Sequence, residues 1–317
     1  MKATDQIKHA AFEKTLDYLL EDPERNATKI MDMLDKVAPA DLFPSHRTAF
    51  RNAIDQQSNW YQLITRLLEL NPVMRNDFIK TFLVDGNLMA WPKQETMREK
   101  HRCNVPWAIL MDPTSACNLH CTGCWAAEYG HQENLSYDEL DSIIRQGTEL
   151  GTYVYIYTGG EPLVRRDFME LVDALLSYRI RIAQIYTNGK LVDEKLLDQL
   201  EEREIRPEFN MSYDGTQGWH DWMRGVPGAG DAVLAAFDLC HERGFPTGAE
   251  MCLHQGNKHL LRESVSTLAA HHCESLKVNP VADTDTWERL GEDRSLPLEE
   301  TFAVHLAYLP CFSEDGA

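Results

Sequence analysis

The chain has 317 residues, enough for one large domain or two and for a sizeable buried core. Apolar residues make up 43% and charged residues 26%, ordinary globular usage that excludes wholesale disorder and a fibrous repeat. Lysine and arginine number 31 against 50 aspartates and glutamates, and the resulting net charge of −19 opposes attraction to nucleic acid or an anionic membrane. The opening MKATDQIKHA lacks the apolar region of a signal peptide, and no apolar run reaches the length of a membrane span, so the expected location is the cytoplasm. In that reducing compartment the eight cysteines are not expected to pair as disulfides.

Taken in chain order, residues 1–100 carry helical signals and hardly any strand signal. Ile30, Met33, Leu34 and Val37 make one stripe, and Tyr61, Ile64, Leu67 and Leu68 another. This region is expected to be an all-helical extension, punctuated by Asn71-Pro72 and Trp91-Pro92. The polar run Lys93 to Arg102 reads as a linker, which places a domain boundary near residue 100.

From Trp107 onward short apolar runs alternate with helical faces. Strands are predicted at Trp107–Met111, Tyr153–Tyr157, Ile180–Tyr186, Glu208–Ser212, Thr247–Leu253 and Ser275–Asn279. Ser136 and Glu139 form a capping box ahead of Leu140, Ile143 and Ile144. Phe168, Leu171, Val172, Leu175 and Leu176 trace one apolar helical face, and Val233, Leu234, Phe237 and Cys240 another, with Gly244 as its C-cap. Six strands alternating with helices imply an α/β fold, a parallel sheet curved into a partial or full barrel over residues 101–295, with ligands at the carboxyl ends of its strands. Residues 296–317 would hold a C-terminal helix and the start of a truncated extension.

The sharpest chemical signal follows the first strand, where Cys117, Cys121 and Cys124 stand in a C-x3-C-x2-C loop. Three thiolates on one loop can hold a cubane iron–sulfur cluster with one iron left open to a ligand. A structural zinc site recruiting Cys103 or His120 is a second reading. A C-x-x-C thiol–disulfide oxidoreductase is a third, although it leaves Cys117 without a role. The second strand ends in Gly159-Gly160-Glu161-Pro162, where two glycines let a ligand approach the backbone and Glu161 can accept a bond from an amino group.

With Thr187-Asn188-Gly189 after the third strand, these segments resemble the radical S-adenosylmethionine (SAM) superfamily in order and spacing, over roughly residues 103 to 282. The resemblance implies a partial (β/α)6 barrel in which Cys117, Cys121 and Cys124 ligate a [4Fe-4S] cluster. The open iron would chelate the amino and carboxylate groups of S-adenosylmethionine, with Gly159, Gly160 and Glu161 lining its methionine amino group and Asn188 among the cofactor-binding residues. Ser212, or Asp214 as second choice, would reach the ribose, Arg224 the carboxylate, and the backbone of Lys277-Val278-Asn279-Pro280 would pass the adenine. The position before the last cysteine, commonly aromatic in the family, is Gly123 here, and the aromatic follows as Trp125.

Asp214-Gly215, His220-Asp221 and Arg224-Gly225 most resemble the branch carrying a C-terminal SPASM or twitch domain, which includes peptide maturases and tetrapyrrole-tailoring enzymes. Only Cys311 lies beyond Cys273, so that domain is expected to be absent or truncated. The implied activity is reductive cleavage of S-adenosylmethionine followed by hydrogen abstraction from a substrate, a peptide or a tetrapyrrole. A small donor such as flavodoxin or ferredoxin would supply the electron. The thiol oxidoreductase and a zinc-stabilised interaction module stand as the alternatives.

Overall fold

The computed structural model describes residues 14–15, 17–37, 44–69, 72, 75–76, 79–124, 126–127, 130–216, 218–281, 287 and 295–308. Asn71, Trp125 and Cys311 lie outside them, as do the side chains of Leu34, Val37, Ile64 and Leu67. The chain divides into two compact units, Met1–Lys80 and Thr81–Ala317.

The first unit carries α1 (Pro23–Val37), α2 (Pro44–Asp55) and α3 (Asn59–Glu69). Proline opens α1 and α2 at a position whose backbone N–H would have no helical partner anyway. Met31 and Tyr61 are buried, and Ile30 joins them in lining an apolar cavity of about 150 Å³. Met33, expected on the inner stripe, is instead 51% exposed. It follows Met31 by two positions, roughly 200° around the helix, so both cannot face inward. Arg51 of α2 reaches back to Asp35 and Asp32 of α1 at 2.7 and 2.9 Å.

The second unit differs from the sequence reading at its entry. Most of Lys93 to Arg102, expected as a linker, belongs to α4 (Ala90–His101), which a π-helix (Ile79–Met89) precedes. This helix has no apolar stripe to betray it. Polar bonds dock it: Gln94 donates to the Gly151 carbonyl at 2.9 Å and Lys93 to the Thr148 carbonyl at 2.6 Å. Pro92 sits in its first turn, where proline is tolerated.

The strands lie within two residues of their predicted bounds: β1 (Ala108–Met111), β2 (Val154–Tyr157), β3 (Ile182–Thr187), β4 (Glu208–Ser212), β5 (Thr247–Leu253) and β6 (Leu276–Pro280). All are parallel and paired in chain order, forming the open six-stranded half-barrel expected of the fold. The connecting helices are α5 (Tyr137–Leu150), α6 (Phe168–Ser177), α7 (Glu194–Glu201), α8 (Trp219–Arg224), α9 (Ala229–Arg243) and α10 (Leu261–Ala270), and α11 (Leu298–Tyr308) follows the sheet. The predicted capping box closes, with the Ser136 hydroxyl accepting from the Glu139 amide and the Glu139 carboxylate accepting from the Ser136 amide. Gly244 caps α9 at φ 68°.

Strand alternation decides what faces where. Tyr155, Tyr157, Ile185, Phe209, Met211 and Ala249 are buried against the helices and form the main core. The Tyr155 hydroxyl donates to the Ile144 carbonyl, and Tyr157 meets Phe168 edge to face. The alternate residues Tyr186, Ser212, Glu250 and Cys252 turn to the inner face, where a cavity opens at the carboxyl ends of the strands.

Candidate functional site

The cavity measures about 360 Å³ and brings Cys117, Cys121 and Cys124 together with Gly159, Gly160, Asn188, Ser212 and Arg224. Backbone contacts fix the cysteine loop against the end of β2. The Gly160 amide donates to the Thr114 carbonyl and the Glu161 amide to the Ala116 carbonyl, both at 2.9 Å. This approach is why the segment needs its two glycines. A Cβ on Gly159, at φ +117°, would lie 2.6 Å from the Thr114 carbonyl oxygen, and one on Gly160 2.3 Å from that of Ala116.

Glu161 was expected to meet an amino group of a ligand, but it is fully buried and does not line the cavity. Its carboxylate accepts from the Thr187 hydroxyl at 2.9 Å, the Asn188 amide at 2.8 Å and the Leu163 amide at 3.1 Å. Burial pushes this carboxyl up to about 7, against the pull of those hydrogen bonds. Its place is that of a strap between the ends of β2 and β3. Asn188 continues the strap into the loop, donating to the Asn118 side chain at 2.7 Å.

The far side of the loop is held by α8. The Thr122 amide and hydroxyl donate to the carbonyls of Met223 and Trp222 at 2.7 and 3.1 Å. Gly225, at φ +67°, lets the His120 carbonyl approach to within 2.3 Å of where its Cβ would be. Arg224 thereby arrives with one nitrogen 3.8 Å from the Cys121 sulfur and another 2.6 Å from Asp214.

Asp214 is also fully buried and accepts from the Cys252 amide at 3.0 Å. Burial alone would raise its pKa, but the Arg224 charge, His220 and the Cys252 amide together outweigh that and hold it at about 2. Like Glu161 it stands outside the cavity lining and acts on a neighbour. Ser212 does line the cavity, beside Glu250 in the β4–β5 register.

The chemistry of the donor set fits an iron–sulfur cluster. Burial pushes the Cys117 thiol up to about 11 and raises that of Cys121, so thiolates form here when cationic metal compensates them. Among the described residues no three His, Cys, Asp or Glu side chains converge tightly enough to hold a single metal ion. A cubane cluster would give each thiolate an iron of its own, and Cys117 would then have the role that the C-x-x-C reading denied it.

Among the residues of the cavity wall that sequence reading missed are Tyr186, Glu250, Cys252 and Trp287. Strand alternation could have found the first three, since each is out of phase with the core-facing residues of its strand. Cys252 faces the cavity, and burial beside Asp214 pushes its thiol up to about 12. Nothing local marks Trp287.

Known proteins share part of this sequence and the fold. Residues 111–264 match the Radical SAM superfamily. The Fe-coproporphyrin III synthase of Methanosarcina barkeri is 31% identical over 151 residues, covering 47% of this chain and 37% of that protein. The PqqA peptide cyclase of Granulibacter bethesdensis is 27% identical over 209 residues, covering 64% of this chain and 54% of that protein. Among solved structures, SuiB of Streptococcus suis bound to S-adenosylmethionine shares the fold at a TM-score of 0.57 and 17% identity, covering 70% of this chain and 51% of that one. The chain thus spans less than two thirds of the length of each. With a half-barrel of parallel strands, a three-cysteine loop at its mouth and this match across 111–264, that segment of the chain is similar to the radical SAM superfamily, whose enzymes use a [4Fe-4S] cluster and S-adenosylmethionine.

Proposed function

We propose that this chain cleaves S-adenosylmethionine reductively and removes a hydrogen atom from a peptide. The observation that carries the reading is the convergence of the cysteine loop, the β2 glycines and Asn188 on one cavity at the strand ends. Cys117, Cys121 and Cys124 would hold the cluster. Gly159, Gly160 and Asn188 would line the amino-acid end of the cofactor, Ser212 would meet the ribose, and Arg224 would face the carboxylate with the planar fork suited to it. Glu161 and Asp214 act behind them, fixing Asn188 and Arg224. When bound, the two cofactors supply a one-electron carbon–sulfur cleavage giving methionine and a 5′-deoxyadenosyl radical. The protein's part is to position the ligands and exclude water. A small flavodoxin or ferredoxin would bring the electron, in the cytoplasm.

A peptide is favoured over a tetrapyrrole by charge. Among the described residues lining the cavity, the one basic side chain is Arg224, shared between Asp214 and the carboxylate of the cofactor, so a substrate bearing several carboxylates finds no further cation there. The similarity to PqqA peptide cyclase also runs further along the chain than that to the coproporphyrin enzyme.

Anaerobic reconstitution tests the reading. The protein should take up about four irons and four sulfides per chain, and Cys117→Ala, Cys121→Ala and Cys124→Ala should each abolish that uptake. With a strong reductant and S-adenosylmethionine it should release 5′-deoxyadenosine. Bound zinc in place of iron, or full iron content in any of the three variants, overturns it. A mass change in iron coproporphyrin III, with none in candidate peptides, overturns the substrate class alone.

A further inference from the structure

Gly123 lies between the second and third cysteines at φ +73°, and a Cβ there would sit 2.1–2.6 Å from atoms Cε2, Nε1 and Cζ2 of Trp287. No residue with a side chain allows that contact. Trp287 comes from beyond β6, yet its indole is 5% exposed, packs with Met223 and Val281, and lines the cavity that the three cysteines share. Trp222 and His254 brace it, each with a ring centroid 6.4 Å from that of Trp287.

The cavity wall changes character across the sheet. On the β2–β3 side Gly159, Gly160 and Asn188 present backbone and amide groups, whereas past Arg224 and Glu250 on the other side Met223, Val281 and Trp287 present an apolar and aromatic surface. S-adenosylmethionine has the same two-ended chemistry, a charged amino acid and a purine. We propose that Trp287 is the aromatic wall on which the purine of the cofactor seats, and that Gly123 keeps the cysteine loop clear of that indole. Base–aromatic stacking suits such a position because the purine's π-face needs no matching hydrogen bonds. The inference rests on the cofactor assignment made above.

Reconstituted protein would be titrated separately with S-adenosylmethionine, 5′-deoxyadenosine and methionine. Trp287→Leu should bind the two adenine-bearing ligands roughly 5- to 150-fold more weakly while keeping wild-type affinity for methionine and wild-type iron and sulfide content. Trp287→Phe keeps a ring and should bind 5′-deoxyadenosine nearly normally, yet lose the part of the tryptophan fluorescence quenching that this ligand causes in the wild type. Gly123→Ala, which displaces the indole, should weaken 5′-deoxyadenosine binding in the wild-type background and add nothing in the Trp287→Leu background. Unchanged quenching in Trp287→Phe, unchanged 5′-deoxyadenosine affinity in Trp287→Leu, or parallel loss of methionine binding would each overturn the proposal. A wild-type protein that takes up no iron would instead overturn the cofactor assignment.

Discussion

Glu161 and Asp214 are both fully buried carboxylates, one step behind the cavity wall on opposite sides of the cysteine loop, and they end in opposite electrostatic states. Glu161 meets hydroxyl and amide dipoles, which do not repay the loss of water, so burial wins and its carboxyl is pushed up to about 7. Asp214 meets the full charge of Arg224 and stays ionised down to about 2. Burial by itself therefore sets neither state; the nature of the partner does. The β2–β3 side of the site is held by shared hydrogen bonds, and the β4 side by a buried ion pair.

The largest effect should come from breaking that pair. Arg224→Met leaves Asp214 buried with only His220 beside it, 3.4 Å away, and should destabilise the cluster-free protein by about 3–5 kcal/mol in urea unfolding. Adding Asp214→Asn should recover much of the loss. If the single variant loses less than 1 kcal/mol, the two sides do not differ as described.

Glu161→Gln should cost less, about 1–3 kcal/mol, because one amide oxygen must serve donors that two carboxylate oxygens served. Its pH dependence separates the two acids more sharply. The folded value of about 7 for Glu161 lies above its ordinary 4.5, so between these values the folded protein keeps a proton that the unfolded chain has lost. Its contribution is therefore full below pH 4.5 and declines as the pH rises through 7, at up to about 1.4 kcal/mol per pH unit. Asp214 runs the other way: lowered from 3.8 to about 2, it contributes fully above pH 3.8 and is lost as the pH falls through 2. Urea unfolding across both windows should show Glu161→Gln flattening only the upper one.

The smallest effect belongs to Asn188→Ala, which removes the bond to Asn118. It should lower stability by about 0.5–1.5 kcal/mol and slow cluster loading, measured by iron uptake, by loosening the loop without removing a ligand.

The parts legible in the sequence are those with short-range signatures. The strands, the capping box at Ser136 and the C-cap at Gly244 each follow from neighbours a few residues apart. So does the cysteine loop, because ligands on one loop are spaced along the chain. Helix α4 escaped notice because polar bonds to Thr148 and Gly151 replace the apolar stripe that periodicity detects. Met33 was misplaced because several apolar residues in α1 competed for one inner face, and the unit's packing chose Met31.

The sequence by itself determined the order of elements, the cysteine loop proposed to ligate iron and the glycines after β2, since each is dictated by chain geometry or by residue chemistry in a short segment. Tertiary structure decided what each side chain touches. It turned Glu161 and Asp214 away from the cavity and into the service of Asn188 and Arg224, and it carried Trp287 from beyond β6 to the gap left by Gly123. Those contacts depend on strand register and on the curl of the sheet, which bring together residues more than a hundred positions apart in the chain and leave no mark in local sequence.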